Sequence, residues 1–423
     1  MKSKIKKLSW VLYGQGGRLI FQTAYFLILA FLLGPDDYGI YITISALIII
    51  LSPFCGLGFT SLIVKVIRTD EGNFRNAFGN ALNIILFSFL FLLGIGLGII
   101  FIFFDNPLFA SKLFLWLAIS DLFFLKLNEL SAQIFIARDK VKFAAHIQNF
   151  ISLVRLLSVM VFFFITHYIG QASMIMDWAY LYCLLSGLLA VFVFIFTIFQ
   201  EASPNLRAKI IPSYIKEGVF FSIGLSSQGV YNDVDKTILG KYSTNAVTGY
   251  YGFAYKILDV LFIPIKAVLM LTFPKFFEIG KQGGVKSTAK YAMKILLPLS
   301  FYCLITTLVA FLFIPTILSV VLDGKYENSG EYIVWLLPIV FLRVIHYVFA
   351  DALTGAGFQK ERSIVQVTVA IINFGLNILF IKFYGVYGAI MVSIISDTLM
   401  SILIIYLIIS KIKNNRRLKV GMK

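Results

Sequence analysis

Ionisable side chains within long apolar runs are the residues of this chain best suited to chemistry. The basic members are Arg18, Lys126, Arg155, Lys236, Lys256, Lys266 and Arg343, and the acidic members are Asp121, Glu129, Asp233, Asp235, Asp259, Asp351 and Asp397. An ionised group at the centre of a bilayer costs about 2.5–3.5 kcal/mol on insertion scales. We therefore expect these groups to face the interior of a helix bundle or a water-filled cavity.

Three arginines, Arg18, Arg155 and Arg343, have no acidic neighbour at helical spacing on their own helices. Each needs a partner from another helix or from a ligand. A guanidinium is charged at any working pH, and its planar donors match phosphate. The pattern predicts a site for an anionic substrate, most naturally a phosphate or pyrophosphate. Pairing with carboxylates on other helices is the alternative, and its candidate partners are Asp121, Asp351 and Asp397.

Three pairs of opposite charge lie three residues apart and share a helix face. They are Lys126 with Glu129, Lys256 with Asp259, and Asp233 with Lys236. Each pair has two interpretations. It forms a buried ion pair that fixes helix packing, or its side chains face the cavity. In the second interpretation Lys126 and Lys256 assist the arginines at the substrate.

Two acidic and three aromatic residues complete the predicted site. Asp121 and Asp397 are the candidates for coupling transport to a H+ or Na+ gradient. Sugars stack on aromatic faces, so Tyr25, Tyr231 and Tyr255 are the candidates for facing a glycan. Core packing or a position at the membrane interface is the alternative for these tyrosines.

Long apolar runs must hold these residues. The chain has 423 residues, of which 59% are hydrophobic, and a soluble protein would need more polar surface. About 20 apolar residues cross a bilayer as a helix. The predicted fold is an all-α polytopic membrane protein with about twelve transmembrane helices, near 10–33, 39–64, 78–104, 112–137, 143–166, 175–199, 217–240, 248–274, 291–314, 331–357, 363–383 and 386–410.

Lysine and arginine are concentrated at the N-terminus, in every second gap between the predicted helices and in the C-terminal tail. The other gaps hold only Lys112, Lys241, Lys325 and Lys382. Because positive loops remain in the cytoplasm, both termini are predicted to be cytoplasmic. The net charge of +16 then reflects orientation and contact with anionic headgroups. We expect no nucleic-acid partner.

The chain is predicted to form two six-helix lobes around a central cavity. Leu-Gly followed by Gly-x-Tyr occurs at 33–41 and again at 239–251. Such parallel repeats are related by an axis along the membrane normal in several transporters, and chance recurrence of an interfacial turn is the alternative. The predicted boundaries are an N-terminal lobe at 1–200, a cytoplasmic connector at 201–216, a C-terminal lobe at 217–410 and a basic cytoplasmic tail at 411–423.

Enzymatic signatures are missing from the sequence. It contains no Gly-x-x-x-x-Gly-Lys-Ser/Thr phosphate loop and no His-Glu-x-x-His or Gly-x-Ser-x-Gly motif. The longest predicted loop is also too short for a glycosyltransferase domain. We therefore predict a transporter without enzymatic activity, and we expect no metal and no organic cofactor.

Segments across nearly the whole chain carry a resemblance to a known family. They are LGPDDYGIY at 33–41, DVDKTILG at 233–240, GYY at 249–251, AYK at 254–256, GKYE at 324–327 with LLP at 336–338, and GAGFQK at 355–360. In these segments the chain resembles the O-antigen (Wzx-type) polysaccharide flippases of the multidrug/oligosaccharidyl-lipid/polysaccharide (MOP) exporter superfamily.

This resemblance implies a protein of the bacterial inner membrane that flips an undecaprenyl-pyrophosphate-linked oligosaccharide by alternating access. The product would serve O-antigen, lipopolysaccharide, capsule or exopolysaccharide biosynthesis. The implied partners are the lipid-linked oligosaccharide, membrane lipids and other polysaccharide-assembly proteins. Three alternatives stay open: an ion-coupled drug or metabolite exporter, a lipid II-type flippase, and a membrane-embedded glycan-assembly enzyme or scaffold.

Overall fold

A computed structural model describes residues 2–69, 74–169, 175–208, 212–322 and 324–420. Every regular element within these ranges is a helix, which confirms the predicted all-α class. The α-helices are α1 Lys2–Leu51, α2 Phe59–Thr69, α3 Phe74–Phe103, α4 Pro107–Ala118, α5 Leu125–Ala137, α6 Val141–Ile169, α7 Ile175–Gln200, α8 Pro212–Tyr242, α9 Asn245–Leu261, α10 Ile263–Val321, α11 Glu327–Gly355 and α12 Gln359–Val420. A 3₁₀ helix, Ser52–Phe54, follows α1, and a π-helical segment, Ile119–Phe124, joins α4 to α5.

Eight helical stretches among the described residues are long and apolar enough to cross a membrane. The chain is therefore a multi-pass membrane protein. The stretches are Gly16–Phe54, Phe74–Phe103, Pro107–Ala137, Val141–Tyr168, Ile175–Gln200, Ile263–Ile314, Glu327–Gly355 and Gln359–Lys413. The number of twelve spans and the cytoplasmic position of the termini stay predictions.

Three of these stretches contain a glycine with non-helical dihedral angles, at Gly34, Gly284 and Gly385. Each glycine lies in a gap between two predicted helices. Gly34 has φ 70° and ψ 173°, a conformation that a residue with a Cβ rarely adopts. Pro35 follows it, and the fixed φ of proline suits the first turn of a new helix. The LGPD segment thus breaks α1 in two.

The chain divides into two compact units, Met1–Gly229 and Val230–Lys423, called unit 1 and unit 2 below. The division falls inside α8, beyond the predicted connector at 201–216. The first half of α8 contacts α1 within unit 1, where the Ser226 hydroxyl donates to the Ile50 carbonyl at 3.1 Å. The predicted lobe and tail boundaries stay predictions.

The described part of the connector, residues 201–208, is attached to the start of α3. Arg75 Nη2 donates to the Ser203 hydroxyl at 2.7 Å, and the Asn205 amide donates to the Arg75 carbonyl at 2.8 Å. A side chain at Gly79 would collide with the Asn205 carbonyl. Glycine at this position therefore allows the connector to lie directly on the helix.

Small residues let α1 approach α6 closely in unit 1. A Cβ at Gly14 would lie 3.2 Å from Ala145, and a Cβ at Gly17 would lie 2.6 Å from the Asn149 Oδ1. Close backbone approach of this kind is typical of small residues at helix contacts in membranes. It brings Arg18, the residue after Gly17, to the same side of the unit as the α6 side chains.

A tight turn makes α5 and α6 an antiparallel hairpin. Asp139 has a φ of 60°, and the Lys140 amide donates to the Phe135 carbonyl at 2.7 Å. Behind the hairpin, Phe135 and Ile147 belong to a buried apolar cluster that also contains Val193 of α7. This packing fixes the facing surfaces of α5 and α6.

Candidate functional site

A cavity of about 330 Å³ lies within unit 1, in the volume range of small-molecule sites. Its walls are formed by α1, α5, α6 and the segment around the start of α2. The lining residues are Arg18, Gln22, Pro53, Gly58, Thr60, Leu125, Lys126, Glu129, Ala132, Gln133, Gln148, Ile151 and Arg155. Three of the five predicted substrate-binding residues, Arg18, Lys126 and Arg155, meet in this cavity.

Arg18 is the least constrained cation of the cavity. Its side chain is exposed, and no carboxylate among the described residues lies within ion-pair distance of it. Its charged neighbours are Arg155 and, with opposite sign, Glu129. The guanidinium of Arg18 can therefore donate hydrogen bonds to a molecule in the cavity.

Lys126 and Glu129 form the ion pair that their spacing predicts. The Lys126 Nζ lies 2.8 Å from the Glu129 Oε2, and both side chains line the cavity. The lysine side chain is 11% exposed and the glutamate side chain is 41% exposed. Glu129 therefore partly neutralises Lys126 at the cavity wall.

Arg155 has the interhelical partner that the alternative interpretation foresaw. Its Nη2 donates to the Asp121 Oδ1 at 2.7 Å, and its Nε donates to the Tyr182 hydroxyl at 3.0 Å. The Tyr182 hydroxyl in turn donates to the same Asp121 oxygen at 2.5 Å. Asp121 lies on the π-helical segment, and π-bulges are frequent at functional sites. Arg155 is thus fixed in orientation and still lines the cavity.

Arg343, the fourth predicted cation, lies in unit 2 and is nearly buried, with a side chain that is 10% exposed. Its nearest carboxylate oxygens belong to Asp397, 3.7 Å from Nε, and Asp259, 3.8 Å from Nη1. These distances exceed a good hydrogen bond, and Nε has no hydrogen-bond partner. Asp397 and Asp259 therefore balance the charge of Arg343, but neither accepts a hydrogen bond from its Nε–H.

Asp397 is the buried centre of this unit 2 cluster, and its side chain is 2% exposed. Its Oδ1 accepts a hydrogen bond from the Tyr231 hydroxyl and lies 2.9 Å from the His346 Nε2. The other carboxylate oxygen faces Arg343. A carboxylate with a histidine, a phenol and an arginine around it can exchange a proton or hold a cation.

A second buried cluster in unit 2 contains Lys236. Its Nζ lies 3.0 Å from the Asp233 Oδ1, which confirms that predicted pair, and 3.4 Å from the Asp235 Oδ1. The ring of Tyr255 lies between two cations, 4.3 Å from the Lys236 Nζ and 5.6 Å from the Arg343 guanidinium carbon. Tyr255 therefore links the two clusters of unit 2.

Of the two interpretations of Lys256 and Asp259, the ion pair is not formed among the described residues, although Lys256 is a charged neighbour of Asp259. Asp259 is directed towards Arg343, and no ion pair joins it to Lys256 within the described part of the chain. Because one turn of helix allows side chains to diverge, spacing alone did not decide this contact. Lys256 is half-buried in α9.

Two of the predicted glycan-facing tyrosines are packed inside protein. Tyr25 is 7% exposed and shares a hydrogen bond with the Tyr41 hydroxyl at 3.1 Å. Tyr255 is 4% exposed. Neither lines the unit 1 cavity, and Tyr231 is half-buried at Asp397. Core packing, the alternative for these residues, describes Tyr25 and Tyr255 in this structure.

Three glutamines are lining residues that the sequence reasoning missed: Gln22, Gln133 and Gln148. The sequence did contain one indication of them, because they lie at helical spacing from charged residues on the same helices. Gln22, for example, follows Arg18 by four residues. Uncharged amides are common on solvated helix faces, so this signal alone is weak.

The fold of this chain is also found in solved structures of membrane transporters. The chain shares the fold of MOP-superfamily transporters: an inward-facing MATE-family multidrug resistance transporter matches with a TM-score of 0.76 at 14% identity, covering 96% of each chain. The lipid II flippase MurJ in an inward closed conformation matches with a TM-score of 0.76 at 13% identity, covering 96% of this chain and 87% of MurJ. A MOP-superfamily transporter from Pyrococcus furiosus, described as having a binding pocket of reverse polarity, matches with a TM-score of 0.66 at 14% identity. The match covers 97% of this chain and 96% of the Pyrococcus furiosus chain.

The chain belongs to the polysaccharide biosynthesis protein family, whose model matches residues 5–280. This match confirms the family expected from the sequence segments. A comparison with curated proteins found no match.

Proposed function

We propose that the chain is a flippase that moves an undecaprenyl-pyrophosphate-linked oligosaccharide from the cytoplasmic to the outer leaflet of the bacterial inner membrane by alternating access. Three findings support this: membership of the polysaccharide biosynthesis family, the fold of MOP transporters, and a cationic cavity among membrane helices. The chain acts as a transporter and forms no covalent intermediate.

Arg18 is the observation that carries the proposal. It lines the cavity without a carboxylate partner among the described residues, next to Lys126 and Arg155. An unpaired guanidinium among membrane helices is costly unless an anion or water reaches it. A pyrophosphate headgroup supplies this anion, and arginine donors match it in pairs.

The neighbouring groups have distinct roles in this proposal. Asp121 and Tyr182 hold Arg155 in one orientation, so its three remaining N–H donors can bind the headgroup at low entropic cost. Glu129 withdraws part of the charge of Lys126. The affinity of the cavity for the headgroup is then high enough for binding and low enough for release.

Ion coupling is assigned to Asp397 and, second, to Asp121. Asp397 is the more buried of the two, and its Oδ1 lies 2.9 Å from the His346 Nε2. Protonation of the Asp397–His346 pair changes the charge that balances Arg343. A H+ gradient acting on this pair thereby alters the conformational equilibrium of unit 2.

The lining charge separates the proposal from a cationic drug exporter. Three cations and one carboxylate line the cavity, and this excess of positive charge repels cationic cargo. A lipid II-type flippase also carries a pyrophosphate, so the lining charge does not distinguish it from our proposal.

Transport in proteoliposomes tests the proposal. The purified chain is reconstituted with a fluorescent polyprenyl-pyrophosphate oligosaccharide, and label in the outer leaflet is destroyed with a membrane-impermeant reductant. We expect faster loss of total label in proteoliposomes than in protein-free liposomes, and no transport of a cationic dye. Arg18→Gln should abolish the difference, and Lys112→Gln, a change at an exposed lysine outside the cavity, should preserve it. Equal rates with and without the protein would reject a flippase.

A further inference from the structure

Three glutamine side chains in the unit 1 cavity form no side-chain hydrogen bond or ion pair with another described residue. Gln22, Gln133 and Gln148 are half-buried and line the cavity. Each amide offers two N–H donors and one carbonyl acceptor. A half-buried amide retains this capacity for water or for a ligand.

The antiparallel hairpin arranges cations and glutamines at two levels. Lys126 and Arg155 lie at similar distances from the turn at 138–140, and Gln133 and Gln148 lie closer to it at similar distances. Seven residues separate each cation from the glutamine on its helix, which corresponds to about 10 Å along the axis. On the hairpin the cavity therefore has a cationic level and an amide level. Gln22 is not part of the amide level: Gly14 of α1 lies against Ala145 and Gly17 against Asn149, so Gln22, further along α1, lies near the height of Arg155.

We propose that the amide level, Gln133 and Gln148, binds the first neutral sugar units of the substrate while the cationic level binds the pyrophosphate. This inference rests on the proposed function and assigns the sugar contacts to residues other than tyrosines. Sugar hydroxyl and acetamido groups both donate and accept hydrogen bonds, as glutamine amides do. Pyrophosphate and sugar are consecutive in the headgroup, so two neighbouring levels of one cavity can bind them together.

The amide level also determines selectivity. A polar site that is left unpaired by the wrong ligand loses affinity strongly, whereas an apolar wall discriminates weakly. Glutamines here favour hydroxyl-rich, uncharged sugars over lipid pyrophosphates without a sugar. The cations contribute equally to both ligands, because both carry the pyrophosphate.

Binding of two lipids to the full-length protein in nanodiscs tests the inference. The probes are a polyprenyl pyrophosphate without a sugar and the same lipid with a neutral disaccharide. For the variant Gln133→Leu/Gln148→Leu we expect about ten-fold weaker binding of the glycosylated lipid and unchanged binding of the sugar-free lipid. Retained binding of the sugar-free lipid also shows that the variant is folded. Gln282→Leu, at an exposed glutamine outside the cavity, should bind both lipids as the unchanged protein does.

The outcomes separate this inference from the proposed function. Equal binding of the glycosylated lipid by the double variant and the unchanged protein would overturn the sugar site alone. An equal loss for both lipids, with the thermal midpoint preserved, would also overturn it, because the glutamines would then act on the pyrophosphate. If the unchanged protein binds neither lipid, the proposed function fails first.

Discussion

The Arg155 guanidinium and the Asp121 carboxylate lie 2.7 Å apart, although 34 residues separate them in the chain. The same arginine lines the cavity. Arg155 is therefore neutralised on one side and available on the other. Arg18 has no such partner among the described residues. We therefore expect the two arginines to differ in function: Arg155 is held in one orientation, whereas Arg18 has no carboxylate in the described part of the chain that offsets its charge at ion-pair distance.

Removing the Tyr182 hydroxyl should destabilise the protein. Tyr182→Phe deletes the donor to Asp121 and the acceptor from Arg155, and a polar group left unpaired costs about 1–3 kcal/mol. We expect a lower thermal midpoint in detergent. Asp121→Asn should have a similar effect. The double variant Tyr182→Phe/Asp121→Asn should lose less stability than the sum of the two single variants, because the two residues belong to one hydrogen-bond network. Strictly additive effects would show that the three side chains act separately.

Two adjacent glycines should respond oppositely to alanine. A Cβ at Gly17 would lie 2.6 Å from the Asn149 Oδ1, whereas a Cβ at Gly16 meets nothing within 4 Å. Gly17→Ala should lower the thermal midpoint, and Gly16→Ala should leave it unchanged or raise it, since alanine favours a helix by about 0.5–1 kcal/mol. Equal responses would mean that α1 does not pack on α6 through Gly17.

Neutralising Glu129 should strengthen the binding of anionic lipid. Glu129→Gln frees the Lys126 ammonium from its partner at 2.8 Å and removes a negative charge from the cavity wall. We expect several-fold tighter binding of a polyprenyl pyrophosphate in nanodiscs, with a stronger dependence on salt. Glu278→Gln, at an exposed glutamate of α10, is the control and should have no effect. Weaker binding to Glu129→Gln would place the pyrophosphate elsewhere.

Replacing Asp397 should separate transport from its driving force. Asp397→Asn removes the carboxylate charge that faces Arg343 and His346. In proteoliposomes we expect exchange of the lipid between leaflets to persist, while acceleration by an imposed H+ gradient disappears. A Na+ gradient measured in parallel identifies the ion. If the variant still responds to the gradient as the unchanged protein does, Asp397 is not the coupling group.

Local sequence patterns predicted the features that depend on neighbouring residues. The break at Gly34 agrees with the predicted end of the first helix near residue 33, and the pair Lys126–Glu129 followed from helical spacing. The cost of charge in a membrane singled out Arg18 and Arg155, and both line the unit 1 cavity; their role at a substrate stays a prediction. These arguments need only one helix and its solvent.

Features that depend on tertiary packing were not predictable in this way. Helix packing determines that Asp121 is the partner of Arg155. It also determines that Asp259 lies within ion-pair distance of Arg343 and not of Lys256. Tyr25 was a candidate for facing a glycan, with core packing as the alternative, and it is buried; the sequence could not decide between them because an aromatic side chain suits both environments. The glutamines were overlooked for a related reason, since an uncharged amide gives no signal of burial cost.

The affinity of the purified protein for a polyprenyl pyrophosphate tests the central claim most directly. Binding is measured in nanodiscs for the unchanged protein, Arg18→Gln, Arg18→Lys and the control Lys112→Gln. A hydrogen bond to a charged group contributes about 1.5–3 kcal/mol, so Arg18→Gln should bind about ten-fold to a hundred-fold more weakly, with Arg18→Lys between the two. Unchanged affinity of a folded Arg18→Gln variant would contradict the account.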